Sequence, residues 1–296
     1  MPRRYDLLAL DLDGTLVGHD GRVSRQNAEA IARARADGLH VTLCTGRALI
    51  ECRGVIERVA QEDPVIVSGG AMLACPRTGR TLDRFAMSRG LIGQVVEFLR
   101  GRGHPAMILK DPHAAGFDYL VVGAEGPEHL DPASSWWFEH MGVRARYVAE
   151  LEQDDHPEHS VRIGAYSANK PVASLARELH ERFGAEAMLQ HFNGVMLPPE
   201  RRDSGVESIH IVELFDPRAD KWQALERLAG RLGIDTARVA AIGDQRNDLS
   251  MLEHAGLGIA MGNADEQVKA VADVQTLACE EHGVAAAIDR ILSGAW

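Results

Sequence analysis

The apolar positions of this chain fall into short unbroken runs separated by stretches with a helical rhythm; the pattern breaks off in the middle and then returns. Tyr5-Asp6-Leu7-Leu8-Ala9-Leu10 is a nearly continuous apolar run, as expected of a strand buried on both faces of a parallel sheet. Residues 24–35 set Ala28, Ile31 and Ala32 among polar positions and begin with Ser24, a good N-cap. They predict an amphipathic helix ended by Gly38. Residues 39–44 predict a second strand, 48–60 a second helix and 64–68 a third strand. Strand, helix and strand at this spacing imply right-handed parallel crossovers.

From about Asp83 to Leu214 the segments lengthen and become richer in Gly, Pro and His. Residues 91–102 and 173–183 predict helices there, and 107–109, 119–122, 161–164 and 209–213 predict strands. From Lys221 the first rhythm resumes, with helices at 222–232, 249–254 and 284–292 and strands at 239–242, 257–260 and 272–274. The two ends therefore build one domain, 1–82 with 215–296, interrupted by 83–214. The expected class is α/β: a Rossmann-like parallel-sheet core with an inserted α+β domain.

A length of 296 residues suits about two domains, and 45% hydrophobic with 25% charged content is ordinary for packed cores. The net charge of −11 argues against nucleic acid as a partner, which needs basic patches. It leaves a phosphorylated small molecule open, because a metal and a few local cations reverse the field inside one cleft. Cys44, Cys52, Cys75 and Cys279 show no paired spacing, which predicts reduced thiols and a cytoplasmic location. The chain has no run of 18 apolar residues and so no expected membrane span. Nothing in it implies a protein partner.

Four stretches carry chemistry. Ala9-Leu10-Asp11-Leu12-Asp13-Gly14-Thr15-Leu16 sets two carboxylates at the end of the first strand, where open α/β sheets gather their ligands. Thr45-Gly46-Arg47 follows the second strand, offering a hydroxyl and a backbone N–H to an anionic oxygen. Taken alone it reads equally as a helix cap. Lys221 opens a helix, where a cation is locally unfavourable and hints at an anionic neighbour; taken alone it reads as a surface lysine. Ile242-Gly243-Asp244-Gln245-Arg246-Asn247-Asp248 ends another strand, with Asn247 and Asp248 at the next helix.

Together these stretches resemble the haloacid dehalogenase superfamily of phosphoryl-transfer enzymes. Within it they resemble the Cof-like branch, in which a large α/β cap is inserted between the second and third motifs. Ala260-Met261-Gly262-Asn263-Ala264, Ala272-Asp273-Val274 and Glu281-His282-Gly283-Val284 belong to the same likeness. One departure is Ser68-Gly69-Gly70, where the branch commonly has Asn-Gly, so a substrate contact by that Asn does not carry over. The resemblance implies a phosphatase of small phosphorylated metabolites, sugar-phosphate-like, with a cap that closes over the cleft. It implies Asp11 as nucleophile forming an aspartyl-phosphate and Asp13 as general acid and base. It implies Mg²⁺ held by Asp11, Asp244 and the Asp13 backbone carbonyl. Thr45, the Gly46 N–H and Lys221 would bind phosphate, with Asp248 and Asn247 behind them and Asn247 orienting Lys221. Alternatives are a phosphomutase using the same intermediate and a non-catalytic phospho-ligand-binding regulator. A dinucleotide-dependent oxidoreductase is disfavoured, since no Gly-x-Gly-x-x-Gly follows the first strand.

Three further groups invite chemistry and have plainer readings. Asp154, Asp155, His156 and His159 read as a solvated acidic loop rather than a second metal site, Cys44 as a buried strand residue, and Trp136-Trp137-Phe138 as core of the inserted domain.

Overall fold

In the computed structural model, which describes residues 3–167, 172–196 and 208–296, the chain divides into two units. One is Met1–Asp83 with Asp220–Trp296, the other Arg84–Ala219. These breaks differ from the expected 82/83 and 214/215. The last strand of the second unit runs to Phe215, and its following turn is closed by the Ala219 N–H donating to the Asp216 carbonyl (2.8 Å). The chain re-enters the first unit at Asp220, whose carboxylate caps the next helix.

The first unit opens with β1 (Leu7–Leu10), α1 (Arg25–Ala36), β2 (His40–Leu43), α2 (Arg53–Arg58), β3 (Val65–Val67), β4 (Met72–Ala74) and β5 (Thr81–Arg84). Ser24 caps α1, accepting from the Asn27 N–H. The helix expected over 48–60 is split into a 3-10 turn, Leu49–Cys52, and the short α2. Gly54 followed by β-branched Val55 and Ile56 weakens helix propagation there, and Ala60 leaves it at φ +47°.

The second unit comprises α3 (Arg89–Arg100), β6 (Ala106–Lys110), α4 (Pro112–Ala115), β7 (Tyr119–Val122), α5 (Pro132–Met141), β8 (Ala145–Val148), β9 (Ser160–Ser167), α6 (Val172–Phe183), β10 (Met188–Met196) and β11 (Ser208–Phe215). Its sheet runs β10-β11-β9-β6-β7-β8 and is antiparallel except between β7 and β8. Ile108, Leu120, Ile163 and Val212 face the apolar sides of α3 and α6. Tyr119 and Tyr166, on the alternate strand positions, meet Trp137 of α5 edge-on, at ring separations of 6.3 and 5.6 Å. Trp137 and Phe138 of α5 thus pack the second unit's own core, whereas half-buried Trp136 stacks on His140 at 4.9 Å.

The chain then completes the first unit with α7 (Lys221–Leu232), β12 (Val239–Gly243), α8 (Leu249–His254), β13 (Leu257–Ala260), α9 (Glu266–Val271), β14 (Val274–Gln275) and α10 (Gly283–Leu292). The five-stranded sheet has the order β14-β13-β12-β1-β2, every pair parallel. β1, β12 and β13 are apolar and buried throughout, as strands covered on both faces are. No helix among the described residues is long and apolar enough to cross a membrane.

Candidate active site

Strand order fixes where the site lies. From β1 the chain crosses to β2 on one side, and from the adjacent β12 it proceeds to β13 and β14 on the other. Such a reversal leaves a crevice at the carboxyl ends of the two middle strands. Asp11 follows β1 and Asp244 follows β12, and the Asp11 N–H donates to the Ile242 carbonyl at 3.0 Å. The chain turns away at Gly14, with φ +84°. A Cβ there would lie 2.3 Å from Asp244 Oδ2, so only glycine lets the two segments approach. Thr15 then donates from Oγ1 to Asp244 Oδ1 at 2.7 Å.

Lys221 is no surface lysine, for it is 1% exposed. Its Nζ donates to Asp11 Oδ1 at 2.7 Å and to Asp248 Oδ1 at 2.6 Å. The other oxygen of Asp248 accepts from the Asp244 and Gln245 N–H groups, each at 3.0 Å. Asp248 is therefore fully engaged in holding Lys221 and the turn after β12. It is Asp248, and not Asn247, that fixes Lys221. Asn247 is half-buried, and its Oδ1 is buried without a hydrogen-bond partner. Motif spacing alone could not separate these adjacent residues, since the choice depends on how the 3-10 turn Arg246–Asp248 directs each side chain.

Carboxylate oxygens of Asp11, Asp244 and Asp248 lie within 4.8 Å of one another. Three acids thus share one ammonium in a buried space. Burial, together with the charges of Asp248 and Asp244, holds the Asp11 carboxyl well above the usual range in spite of Lys221. Burial also pushes Asp244 up to about 6, against the Thr15 hydrogen bond and with the Asp248 charge adding to it. Burial alone would lower Lys221, but Asp11 and Asp248 outweigh it and the ammonium is held charged. This excess of negative charge on hard oxygen ligands is what a divalent cation relieves, so the residues present fit one.

Thr45 ends the turn after β2 and is buried; its N–H donates to the Ile66 carbonyl (2.9 Å) and its Oγ1 accepts from the Arg47 N–H (3.1 Å). Gly46 lies between them, with nothing within 4 Å of where a Cβ would stand. The next turn braces this loop, because the Ser68 N–H donates to the Arg47 carbonyl (2.8 Å) and the Gly69 N–H to the Thr45 carbonyl (2.9 Å). Ser68, Gly69 and Gly70 all have positive φ, at 55°, 66° and 101°. Gly69 thus occupies the left-handed region that Asn also tolerates, which accounts for either residue at this position. Asp13 is half-exposed, and its carboxylate is gripped by Arg47, with Nε 2.9 Å from Oδ2 and Nη2 on Oδ1.

Three contributors escaped sequence reasoning although each sat in a stretch already singled out. They are Arg47, Thr15 and Asn263. Asn263 donates from Nδ2 to the Gly14 carbonyl at 2.9 Å and accepts the Cys279 N–H at 2.8 Å. Among the plainer readings, Cys44 is buried and burial pushes its thiol up. The loop at 154–159 is less solvated than expected. Asp154 is buried against Lys110 Nζ at 2.5 Å, Asp155 pairs with Arg146 at 2.8 Å, and His159 Nδ1 lies 2.6 Å from Arg84 Nη2.

The sequence profile of the family described as haloacid dehalogenase-like hydrolase matches residues 8–288. Phosphatase YwpJ of Bacillus subtilis is 30% identical over 301 residues, spanning 97% of this chain and 99% of that protein. The 5-amino-6-(5-phospho-D-ribitylamino)uracil phosphatase YwtE of the same organism is 30% identical over 302 residues, spanning 97% and 98%. The crystal structure of a haloacid dehalogenase-like hydrolase from Bacteroides thetaiotaomicron superposes with a TM-score of 0.75 at 25% identity, covering 97% of this chain and 99% of that one. Strand order, the paired carboxylates at the switch point and these likenesses agree: the chain belongs to the haloacid dehalogenase-like hydrolases.

Proposed function

We propose that this chain is a Mg²⁺-dependent phosphatase that hydrolyses monoesters of small phosphorylated metabolites, sugar-phosphate-like, through an aspartyl-phosphate on Asp11. One observation carries the reading. Asp11 and Lys221, 210 residues apart in sequence, meet with Asp244 and Asp248 at the carboxyl ends of β1 and β12. Structural caps scattered along the chain would not converge on one point. The relatives YwpJ and YwtE, both named phosphatases, support the reaction, and the ribityl phosphate in the name of YwtE supports the substrate class.

The Asp11 carboxylate attacks phosphorus while Asp13, as the acid, protonates the departing alcohol. Asp13 then removes a proton from water, which attacks the acyl phosphate and regenerates Asp11. The Thr45 hydroxyl, the Gly46 N–H and the Lys221 ammonium stabilise the non-bridging oxygens, where positioning and charge supply most of the catalysis. Asp248 keeps Lys221 charged and in place. Mg²⁺, held by Asp11, Asp244 and the Asp13 carbonyl, would supply charge neutralisation at the transferred phosphoryl group. Residues 84–219 would set specificity, since none of the motif residues falls in that unit. The free thiols of Cys44, Cys52, Cys75 and Cys279 support a cytoplasmic location for this enzyme.

The test is phosphate release across a panel of phosphorylated metabolites with Mg²⁺, ranked by kcat/KM, with Asp11→Asn as control. An Asp11→Asn protein as active as the wild type overturns the reading. Single-turnover product analysis separates hydrolysis, which frees inorganic phosphate, from a mutase, which returns an isomeric ester.

A further inference from the structure

We infer that Arg47 is a positioning residue for Asp13, holding its carboxylate in the one orientation from which it serves both half-reactions. The inference rests on the proposed role of Asp13 as acid and base.

Arg47 approaches the carboxylate with the two parallel N–H donors of a fork, Nε on Oδ2 at 2.9 Å and Nη2 on Oδ1. Its backbone is equally constrained. Its N–H donates to Thr45 Oγ1 and its carbonyl accepts the Ser68 N–H, so the guanidinium is anchored to the loop proposed to hold phosphate. Asp13, by contrast, precedes Gly14, and its side chain is 53% exposed. Without the fork it would sample several rotamers. The pair is a poor stability device, because an ion pair open to solvent gains little against the entropy of ordering two side chains. A bidentate fork adds geometric specificity beyond charge.

That specificity matters because Asp13 moves a proton twice. When Asp11 bonds to phosphorus and the ester P–O bond breaks, the Asp13 carboxylic acid gives its proton to the departing oxygen. When water attacks, the Asp13 carboxylate takes the proton as the Asp11–phosphorus bond breaks and phosphate leaves. Each transfer needs the acceptor or donor oxygen within hydrogen-bond reach, and small misplacement is costly.

The experiment compares wild type, Arg47→Ala, Arg47→Lys, Asp13→Asn and the Asp13→Asn/Arg47→Ala double variant. Single-turnover rates are measured on the best alkyl phosphate of the panel and on p-nitrophenyl phosphate, whose leaving group needs no proton. Arg47→Ala should slow the alkyl ester roughly 10–100-fold, a share of the ~10²–10⁴ attributable to an acid–base group, and slow p-nitrophenol release no more than about threefold. Arg47→Lys, a charge without a fork, should restore only part of the loss. In the Asp13→Asn background, Arg47→Ala should add nothing. Equal losses on both leaving groups, or the same loss in that background, would mean that Arg47 acts independently of Asp13 and would overturn the inference alone. Asp13→Asn losing both substrates equally would instead overturn the reading of Asp13 on which the inference rests.

Discussion

In the metal-free protein, replacing Asp244 by Asn should stabilise the fold while removing its affinity for a divalent cation. Asp244, Asp11 and Asp248 crowd within 4.8 Å around one ammonium, and the Asp244 carboxyl is pushed from its ordinary 3.8 up to about 6. At about 1.4 kcal/mol per tenfold change in proton affinity, that rise corresponds to roughly 3 kcal/mol held against the ionised side chain. The sign follows from the raised folded-state value. The penalty is absent below about pH 4, grows as pH rises toward 6, and is complete above it. Asn keeps an oxygen for the Thr15 hydroxyl but carries no charge, so it escapes the penalty. Urea denaturation in EDTA should therefore show the variant more stable by about 1–3 kcal/mol at pH 8, with the advantage shrinking below pH 6 and gone near pH 4. Adding Mg²⁺ should reverse the order, because wild type gains about 4.1 kcal/mol at a thousandfold excess over Kd and the variant gains little. A variant less stable than wild type at pH 8 without metal, or an advantage that ignores pH, would refute the reasoning.

Lys221→Met should act in the opposite direction, leaving Asp11 and Asp248 buried without their cation at a cost of about 3–5 kcal/mol in the EDTA-treated protein. A loss below about 1 kcal/mol at pH 8 contradicts this. Gly14→Ala places a methyl 2.3 Å from Asp244 Oδ2 at a backbone φ of +84°. It should lower both the urea midpoint and the Mg²⁺ affinity measured by calorimetry, and an unchanged affinity would show that the close approach is not needed. Hydrolysis should be lost on exhaustive chelation, restored by Mg²⁺ and suppressed by Ca²⁺, whose longer bonds and larger coordination number misplace the nucleophile; full activity in EDTA would contradict the proposed metal role.

What was legible in the sequence follows from what periodicity and turn chemistry encode. β1, β2 and β12 read as strands because short apolar runs end at Asp or Thr, and those ends lie side by side in the five-stranded sheet. β5 and β8 were missed because Thr81-Leu82-Asp83-Arg84 and Ala145-Arg146-Tyr147-Val148 are largely half-buried edge segments whose charged residues read as loop. The buried Lys110–Asp154 and Arg162–Glu213 pairs were invisible because burial of a charge is decided by partners far apart in sequence. Within the site, residue types and spacing pointed to Asp11, Asp244, Asp248 and Lys221. Thr15, Asn263 and the Arg47 fork depend on how a turn aims a side chain across the crevice, and no spacing rule carries that. Lys221 shows the difference most clearly, since alone it looks like a solvated helix-start lysine and only the fold buries it between two carboxylates.

The central claim is that phosphoryl transfer passes through Asp11. Mixing the enzyme with p-nitrophenyl phosphate and Mg²⁺, quenching in acid within milliseconds and mapping the peptides by mass spectrometry tests it directly. The account predicts a phosphoryl adduct on the peptide containing Asp11, longer-lived in Asp13→Asn, where no base activates water, and absent in Asp11→Asn. An adduct in the Asp11→Asn protein, or one mapping to another residue, would contradict it.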